Sequence, residues 1–223
     1  MQITGREELM RIVTALIKEG IVDYIYEMRK VRRDPKSTWR DCDNYLNKWF
    51  DRTAFERTFE VSYVTGETKG VIILPDQEWV IKFALPGEDY DFCARECENY
   101  ALAEELGLGE YFAATEFLWK HDGFSFFAQQ YVDCDECVDC EIADSLRNEY
   151  SSRGDEVPDE WELTDEAAEM GDLDRIDYLY GNAALCRFVS ERHINDLHCG
   201  NFGKMGDIYV MVDYSGYGAG VYM

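Results

Sequence analysis

Three helical patterns of apolar positions open the chain, at about residues 5–19, 21–33 and 38–51. In each pattern the apolar side chains recur every three or four positions, which places them on one face of a helix. The third pattern carries an aromatic stripe that includes Trp39 and Trp49. We therefore predict a helical N-terminal segment whose apolar faces pack into a core. The apolar face of the first helix consists of Leu9, Ile12, Val13 and Leu16.

A strand pattern follows the helical segment. Residues 62–74 are typical of a strand, a turn and a second strand, with Gly66 and Gly70 on either side of the turn. Residues 79–84 form a third strand pattern, which is apolar except for one charge, Lys82. A lysine inside such a strand is costly unless it has a partner, so Lys82 is the first candidate for a functional residue.

A helical pattern at 90–107 separates these strands from two more, at 111–120 and 124–132. Gly107 is a typical C-terminal stop for the helix, and a short turn joins the last two strand patterns. The patterns together predict an α+β fold with an antiparallel sheet.

A spacing of oxygen-bearing side chains marks the C-terminal region. Asp196 precedes Asn201 by five residues, and the apolar run 208–212 ends at a second aspartate, Asp213. Phosphoryl transfer requires a base near the attacking oxygen and hard oxygen ligands for Mg²⁺. A loop that carries Asp and Asn, followed by a hairpin that returns a second Asp, supplies these groups.

This motif resembles the catalytic loop and the metal-binding aspartate of the protein-kinase-like fold superfamily. The sequence Asp196-Leu197-His198 with Asn201 is similar to the loop of aminoglycoside phosphotransferases and other small-molecule kinases. The resemblance implies ATP and Mg²⁺ as cofactors, Asp196 as the base for a substrate hydroxyl, and Asn201 and Asp213 as Mg²⁺ ligands. The expected acceptor is a hydroxyl-bearing small molecule or protein.

The resemblance also assigns roles upstream. Lys82 would hold phosphate oxygens, and a glutamate on the following helix would orient it. Glu96 and Glu98 are both candidates, but residues two apart on a helix point about 200° apart, so only one can face Lys82. We take Glu96 as the first choice and Glu98 as the alternative.

Nucleotide contacts are expected from the hairpin and from the end of the fifth strand. Gly66 and Gly70 would belong to a hairpin that covers the nucleotide, although their spacing is not that of a G-x-G-x-x-G loop. Tyr131 and Val132 fall where backbone groups would contact adenine. In the opening of the catalytic loop, His193 lies one residue earlier than the family pattern places it.

The resemblance implies a two-lobed protein-kinase-like fold in three segments. Residues 1–58 form a helical N-terminal extension, 59–132 an N-lobe with an antiparallel sheet, and 133–223 a reduced helical C-lobe with an acidic insertion. Only ten residues follow Asp213, so a regulated protein kinase with a full peptide-docking platform is not expected. A small bacterial or phage kinase-like protein is expected instead.

Charge adds a second hypothesis. The formal net charge is -24, and residues 133–178 carry 18 Asp or Glu against three Arg. Such a field repels nucleic acid, so direct nucleic-acid binding is not expected. It is compatible with a catalytically inactive, acidic interaction protein that binds a basic partner, such as a phage-type inhibitor or nucleic-acid mimic. Within this segment, 150–165 has the composition of a loop.

The amino-acid composition indicates the cellular compartment in which the chain is expected. No run of about 18 apolar residues is present, and the N-terminus lacks the pattern of a signal peptide, so a cytoplasmic protein without a membrane span is expected. Eight cysteines are then reduced thiols. Cys134, Cys137 and Cys140 have a spacing that could suit a metal, but they lack an evident fourth ligand, which favours ordinary thiols. The preferred function is phosphoryl transfer.

Overall fold

The computed structural model describes most of the chain as a mixed α+β protein with a five-stranded antiparallel sheet, a two-stranded hairpin and several helices. The chain divides into two compact units. The first unit comprises Met1–Glu98 and Ala114–Tyr131, and the second Asn99–Ala113 and Val132–Met223. The described residues are 5–32, 47–65, 69–74, 78–84, 91–134, 138–154, 156–158, 163, 181–194, 201–206 and 208–215.

The predicted N-terminal helices are present in the first unit. Helix α1 spans Arg6–Lys18, α2 spans Ile21–Arg32, and a short α3 spans Phe55–Phe59. Residues 47–53 are also helical, whereas residues 38–46 of the third predicted helix lie outside the described part of the chain. The apolar face of α1 is buried as predicted, because its side chains at 9, 12, 13 and 16 are at most 1% exposed.

The sheet contains all five predicted strands in the order β1-β2-β3-β5-β4, and every neighbouring pair is antiparallel. Helix α4 spans Phe92–Glu105 and connects β3 to the region before β4. The strand bounds are Ser62–Thr65 for β1, Lys69–Ile73 for β2, Trp79–Ala84 for β3, Thr115–His121 for β4 and Phe124–Gln130 for β5.

The apolar face of the sheet packs against the N-terminal helices. Phe83 of β3 contacts the rings of Phe124 and Phe126 of β5. Tyr26 of α2 meets Phe124 edge-on, and its hydroxyl donates to the carbonyl of Asp122. Gly70 lies opposite Phe83, whose ring fills the space that a side chain on Gly70 would need. Burial of these aromatic rings stabilises the first unit.

In the second unit, the described elements are a 3₁₀ turn (Gly109–Tyr111), α5 (Val138–Arg153), α6 (Ala183–Glu191) and a hairpin of β6 (Phe202–Met205) with β7 (Ile208–Met211). The core of this unit brings α6 and the hairpin together. It includes Leu185, Phe188, Val189, Phe202, Val210, Met211 and Tyr214.

Two predicted boundaries were wrong. The fourth strand begins at Thr115 rather than at 111, because Phe112 and Ala113 belong to the core of the second unit and the amide of Ala113 donates to the carbonyl of Met211 at 2.8 Å. The predicted loop at 150–165 begins too early, because α5 continues to Arg153 and is supported by an ion pair of Arg153 with Glu149 one turn earlier. No described helix is long and apolar enough to cross a membrane.

A packing prediction follows for Gly203 of β6. A side chain at this position would lie 2.5 Å from the carbonyl oxygen of Asp133 and against Val132. We expect Gly203→Ala to lower the free energy of unfolding by about 1–3 kcal/mol, because the backbone must shift to relieve the overlap. Gly181→Ala is the control, since nothing lies within 4 Å of the added carbon. Urea unfolding of both variants measures the difference, and equal effects would contradict the close approach.

Candidate functional site

A cluster of buried charges lies on the sheet face opposite Phe83. Lys82 of β3 pairs in register with Val71 of β2, and Lys69 lies two residues before Val71. Because side chains alternate along a strand, Lys69, Val71 and Lys82 point to the same face. Helix α4 covers this face with Glu96, which is fully buried.

Glu96 contacts both lysines. The Nζ of Lys69 lies 2.6 Å from Oε1 of Glu96, and the Nζ of Lys82 lies 2.7 Å from Oε2. The side chains of the lysines are each 5% exposed and that of Glu96 is 0% exposed. Removal of such charges from water costs several kcal/mol per ion, and close pairing offsets that cost. We call these three residues the lysine–glutamate cluster.

A chain of hydrogen bonds extends the cluster across the sheet. Lys82 donates to Oε1 of Gln129 at 3.1 Å, and Nε2 of Gln129 donates to Oγ1 of Thr115 at 3.0 Å. Gln129 and Thr115 are both buried. The bond from Lys82 fixes which end of the Gln129 amide faces the cluster, so β3, β5 and β4 all take part in holding the Lys82 ammonium.

The start of α4 determines where Glu96 lies. A side-chain oxygen of Asp91 accepts from the amide of Ala94 at 3.0 Å, which satisfies a donor in the first turn. Burial raises the pKa of Asp91, and the hydrogen bonds from backbone amides oppose that shift. In the same turn, burial raises the pKa of the Cys93 thiol, Glu96 reinforces the shift, and the two lysines oppose it. Cys93 is therefore a protonated, buried thiol at neutral pH.

The structure distinguishes the two glutamates. The ion pair predicted for Lys82 is formed with Glu96, whereas the side chain of Glu98 is 67% exposed and lies 3.7 Å from Arg95 on the same helix. Lys69 was not among the predicted site residues. It stands beside Gly70 at the start of an apolar strand, and a lysine in such a strand is the signal that singled out Lys82.

The residues predicted to contact the nucleotide are spread over several parts of the protein. Gly66 lies outside the described residues, and Gly70 lies on the sheet face opposite the cluster, where its lack of a side chain accommodates Phe83. The amide of Tyr131 donates to the carbonyl of Glu78 at 3.0 Å. Val132 is buried in the core of the second unit. Their roles toward a nucleotide stay predictions.

In the second unit, the hairpin brings Asn201 and Asp213 to the same end of two strands. Asn201 directly precedes β6 and Asp213 lies two residues after β7. The amide of Val212, the residue before Asp213, donates to the carbonyl of Asn201 at 2.9 Å, so Asn201 lies opposite Val212 across the hairpin. Asn201 is buried, Asp213 is half-buried, and the hydroxyl of Ser215 donates to Oδ1 of Asp213 at 3.2 Å.

Tyr214 fixes the backbone beside Asp213. It is fully buried, and its hydroxyl donates to the carbonyl of Ala113 at 2.5 Å. Its own carbonyl accepts from Nδ2 of Asn99 at 2.6 Å, and Oδ1 of Asn99 accepts from Arg192 at 2.7 Å. The backbone on the C-terminal side of Asp213 is therefore held by buried hydrogen bonds at two points.

The metal prediction rests on the oxygen donors of this hairpin. The amide oxygen of Asn201 and the carboxylate of Asp213 are hard ligands of the kind that Mg²⁺ prefers. Asp196 lies outside the described residues. Within the described ranges, no group of three or more His, Cys, Asp or Glu is placed to hold a metal. Of the three spaced cysteines, Cys134 donates its thiol to the carbonyl of Val132, and Cys137 lies outside those ranges.

Comparisons of the chain with protein-family models, with curated proteins and with solved structures found no match. A functional proposal for this chain therefore depends on its own residues and their geometry.

A stability prediction distinguishes the two glutamates. We expect Glu96→Gln to lower the free energy of unfolding by about 3–5 kcal/mol, because two buried ammonium groups would lose their shared counter-charge. Glu98→Gln makes the same chemical change on the same helix at an exposed position, and we expect a change within about 0.5 kcal/mol. Urea unfolding measures both values. A similar loss in the two variants would mean that the cluster does not stabilise the fold.

A second prediction concerns Tyr214. We expect Tyr214→Phe to lower the free energy of unfolding by about 1–3 kcal/mol, because the carbonyl of Ala113 would stay buried without its donor. The matched control is Tyr63→Phe, which removes an exposed hydrogen bond to Asn47 and should cost less. The measurement is thermal or urea unfolding, and an undiminished stability of Tyr214→Phe would show that the bond is unimportant.

Proposed function

We propose that this chain is an ATP- and Mg²⁺-dependent phosphotransferase with a two-lobed protein-kinase-like fold, which transfers a phosphoryl group to a hydroxyl acceptor. The observation that carries the proposal is the buried ion pair of Lys82 with Glu96 at 2.7 Å. In protein kinases, the lysine of the third strand pairs with a glutamate of the following helix, and this pairing positions the lysine for the phosphates of ATP.

The topology of the first unit supports the same proposal. Lys82 lies on the third strand of the five-stranded antiparallel sheet, and the helix that carries Glu96 comes before the fourth strand. These are the parts that the kinase signature requires in this region, in the required order along the chain. A lysine paired with an acid elsewhere in a sheet would not reproduce that order.

The hairpin of the second unit supports the metal assignment. Asn201 lies opposite Val212, the residue before Asp213, and Asn201 and Asp213 each supply an oxygen donor; we propose that they hold Mg²⁺. When bound, Mg²⁺ would neutralise charge on the phosphate oxygens. Tyr214 fixes the backbone that follows Asp213, and the hydroxyl of Ser215 donates to Oδ1 of Asp213, so this carboxylate is restrained.

The remaining roles follow from the sequence motif. Asp196 would accept the proton of the acceptor hydroxyl, and Lys82 would bind phosphate oxygens while Glu96 orients it. The hairpin with Gly66 and Gly70 would cover the nucleotide, and the backbone at Tyr131 and Val132 would contact the adenine. The acceptor is a hydroxyl-bearing small molecule or protein. The composition of the chain, with eight cysteines in its sequence, suits a reducing cytoplasm.

The function is tested by two variants that act at different steps. We expect Asp213→Ala to abolish the Mg²⁺-dependent part of ATP affinity, because a metal ligand is lost. We expect Asp196→Ala to lower turnover at least about 100-fold while ATP still binds, because its role lies in the transition state. Calorimetric titration with and without Mg²⁺ measures the first, and ADP release with a panel of hydroxyl compounds and proteins measures the second. Asp23→Ala, an exposed change on α2, is the control.

The proposal would be contradicted if both variants had the same ATP affinity and the same turnover as the control. In that case a pull-down against basic proteins tests the alternative of an acidic interaction protein. Replacement of acids within 133–178 by Asn or Gln would then weaken capture, and so would added salt.

A further inference from the structure

Gln129 is a buried polar side chain beside the lysine–glutamate cluster, and the proposed function gives it no role. Phe127 of β5 pairs in register with Lys82, and side chains two residues apart share a face of a strand, so Gln129 lies on the face of the cluster. It is 3% exposed, and its Oε1 lies 3.1 Å from the Nζ of Lys82. A buried amide is costly unless its polar atoms are bonded, and both ends of this amide are bonded.

The hydrogen bonds of Gln129 have a fixed direction. An ammonium group can only donate, so the bond from Lys82 identifies the end of the amide beside it as the oxygen. The amide nitrogen then faces Oγ1 of Thr115, which lies opposite Gln129 on β4, and donates to it at 3.0 Å. The reverse orientation of the amide would place two donors against each other. Thr115 therefore helps to keep the oxygen of Gln129 turned toward Lys82.

The ammonium of Lys82 is thus held by two different elements. Glu96 contacts it from α4, which covers the sheet, at 2.7 Å, and Gln129 contacts it from a strand of the sheet itself. A lysine side chain is long and flexible, so a single acceptor would let the ammonium swing about that contact. A second acceptor on another element restrains its direction as well as its distance. Such restraint favours a group that must meet phosphate oxygens, because small misplacements in a site reduce rates strongly.

The place of Gln129 along β5 relates this restraint to the nucleotide. Two residues later comes Tyr131, whose backbone we have proposed as an adenine contact. The amide of Tyr131 donates to the carbonyl of Glu78, which directly precedes β3. The chain from Phe127 to Tyr131 is therefore bonded to β3 and to the residue before it. The strand that would contact adenine also holds the lysine that would bind the phosphates.

We propose that Gln129 is a positioning residue for Lys82, whose ammonium it holds in place for the phosphates of a nucleoside triphosphate, and that Thr115 fixes the orientation of the Gln129 amide. Gln129 acts through Lys82 and does not itself contact the nucleotide. This inference rests on the proposed function, since it names two further residues of the same site.

The test uses variants at both ends of the Gln129 amide. Gln129→Met removes the acceptor for Lys82 and keeps an unbranched side chain. Thr115→Val removes only the hydroxyl, and Thr115→Ser restores it. Lys82→Met is the reference for loss of the lysine, and Gln130→Met is the control, because it makes the same change one residue later on the other face of β5. For each variant, calorimetry gives the dissociation constants of ATP with Mg²⁺ and of adenosine, and urea unfolding without ligand gives the stability.

We expect Gln129→Met to weaken ATP binding about tenfold and adenosine binding less than about twofold, because the misplaced ammonium would affect only the phosphates. Thr115→Val should weaken ATP binding by a smaller factor, about threefold, because the amide remains but its orientation is no longer fixed. Thr115→Ser and Gln130→Met should keep the wild-type ratio of ATP affinity to adenosine affinity. Should Gln129→Met fail to fold, Thr115→Val and Thr115→Ser carry the test.

Two results would overturn the inference. If Lys82→Met loses ATP affinity while Gln129→Met and Thr115→Val keep the wild-type ratio, Gln129 does not position the lysine, and the proposed function stands. If Gln129→Met and Thr115→Val lose ATP and adenosine affinity equally and unfold at lower urea concentration, their effect is structural. Absence of ATP binding in the wild type and in Gln130→Met would instead refute the proposed function, and this inference with it.

Discussion

The carboxylate of Glu96 is the group on which the described part of the first unit depends. It is the meeting point of β2, β3 and α4, and each of its oxygens has one ammonium within 2.7 Å. Its position requires the register that pairs Val71 with Lys82, since a slip of one residue would turn one lysine to the opposite face. It also requires α4 to begin beside Asp91, because the start of the helix decides which side chain meets the sheet. The position of Glu96 therefore depends at once on the strand register, on the start of α4 and on the pairing of charges.

Long-range and local electrostatics oppose each other in this protein. The formal charge of -24 acts over about the Debye length, which is roughly 8 Å at physiological salt. The lysine–glutamate cluster acts at contact, inside the protein, where screening by salt is weak. The nucleotide that we propose as ligand would therefore be repelled on approach and would depend on contacts made at the cluster. Such a combination slows association and makes affinity depend on the few groups that touch the ligand.

Periodicity in the sequence predicted the helices and strands well. Burial of one face leaves apolar residues every 3.6 positions in α1, and apolar runs bounded by turn residues mark the five strands. It also singled out Lys82. It could not reveal the role of Lys69, because that lysine joins the cluster only once the register of β2 against β3 is known. The choice of Glu96 over Glu98 needed the phase of α4 against the sheet. The start of β4 at Thr115 was missed because Phe112 and Ala113 pack in the core of the second unit. There the amide of Ala113 donates to the carbonyl of Met211, which is far away in sequence.

Tyr214 restrains the backbone on the C-terminal side of Asp213. The side chain of Tyr214 is fully buried, and its hydroxyl donates to the carbonyl of Ala113. Its backbone carbonyl is held by Asn99, which is itself held by Arg192. Movement of the segment that carries Asp213 would break two buried hydrogen bonds, and each unsatisfied group costs about 1–3 kcal/mol. The same bonds that restrict this movement keep the Asp213 backbone in place, so in the metal site that we propose the carboxylate would lose less conformational freedom on binding a cation.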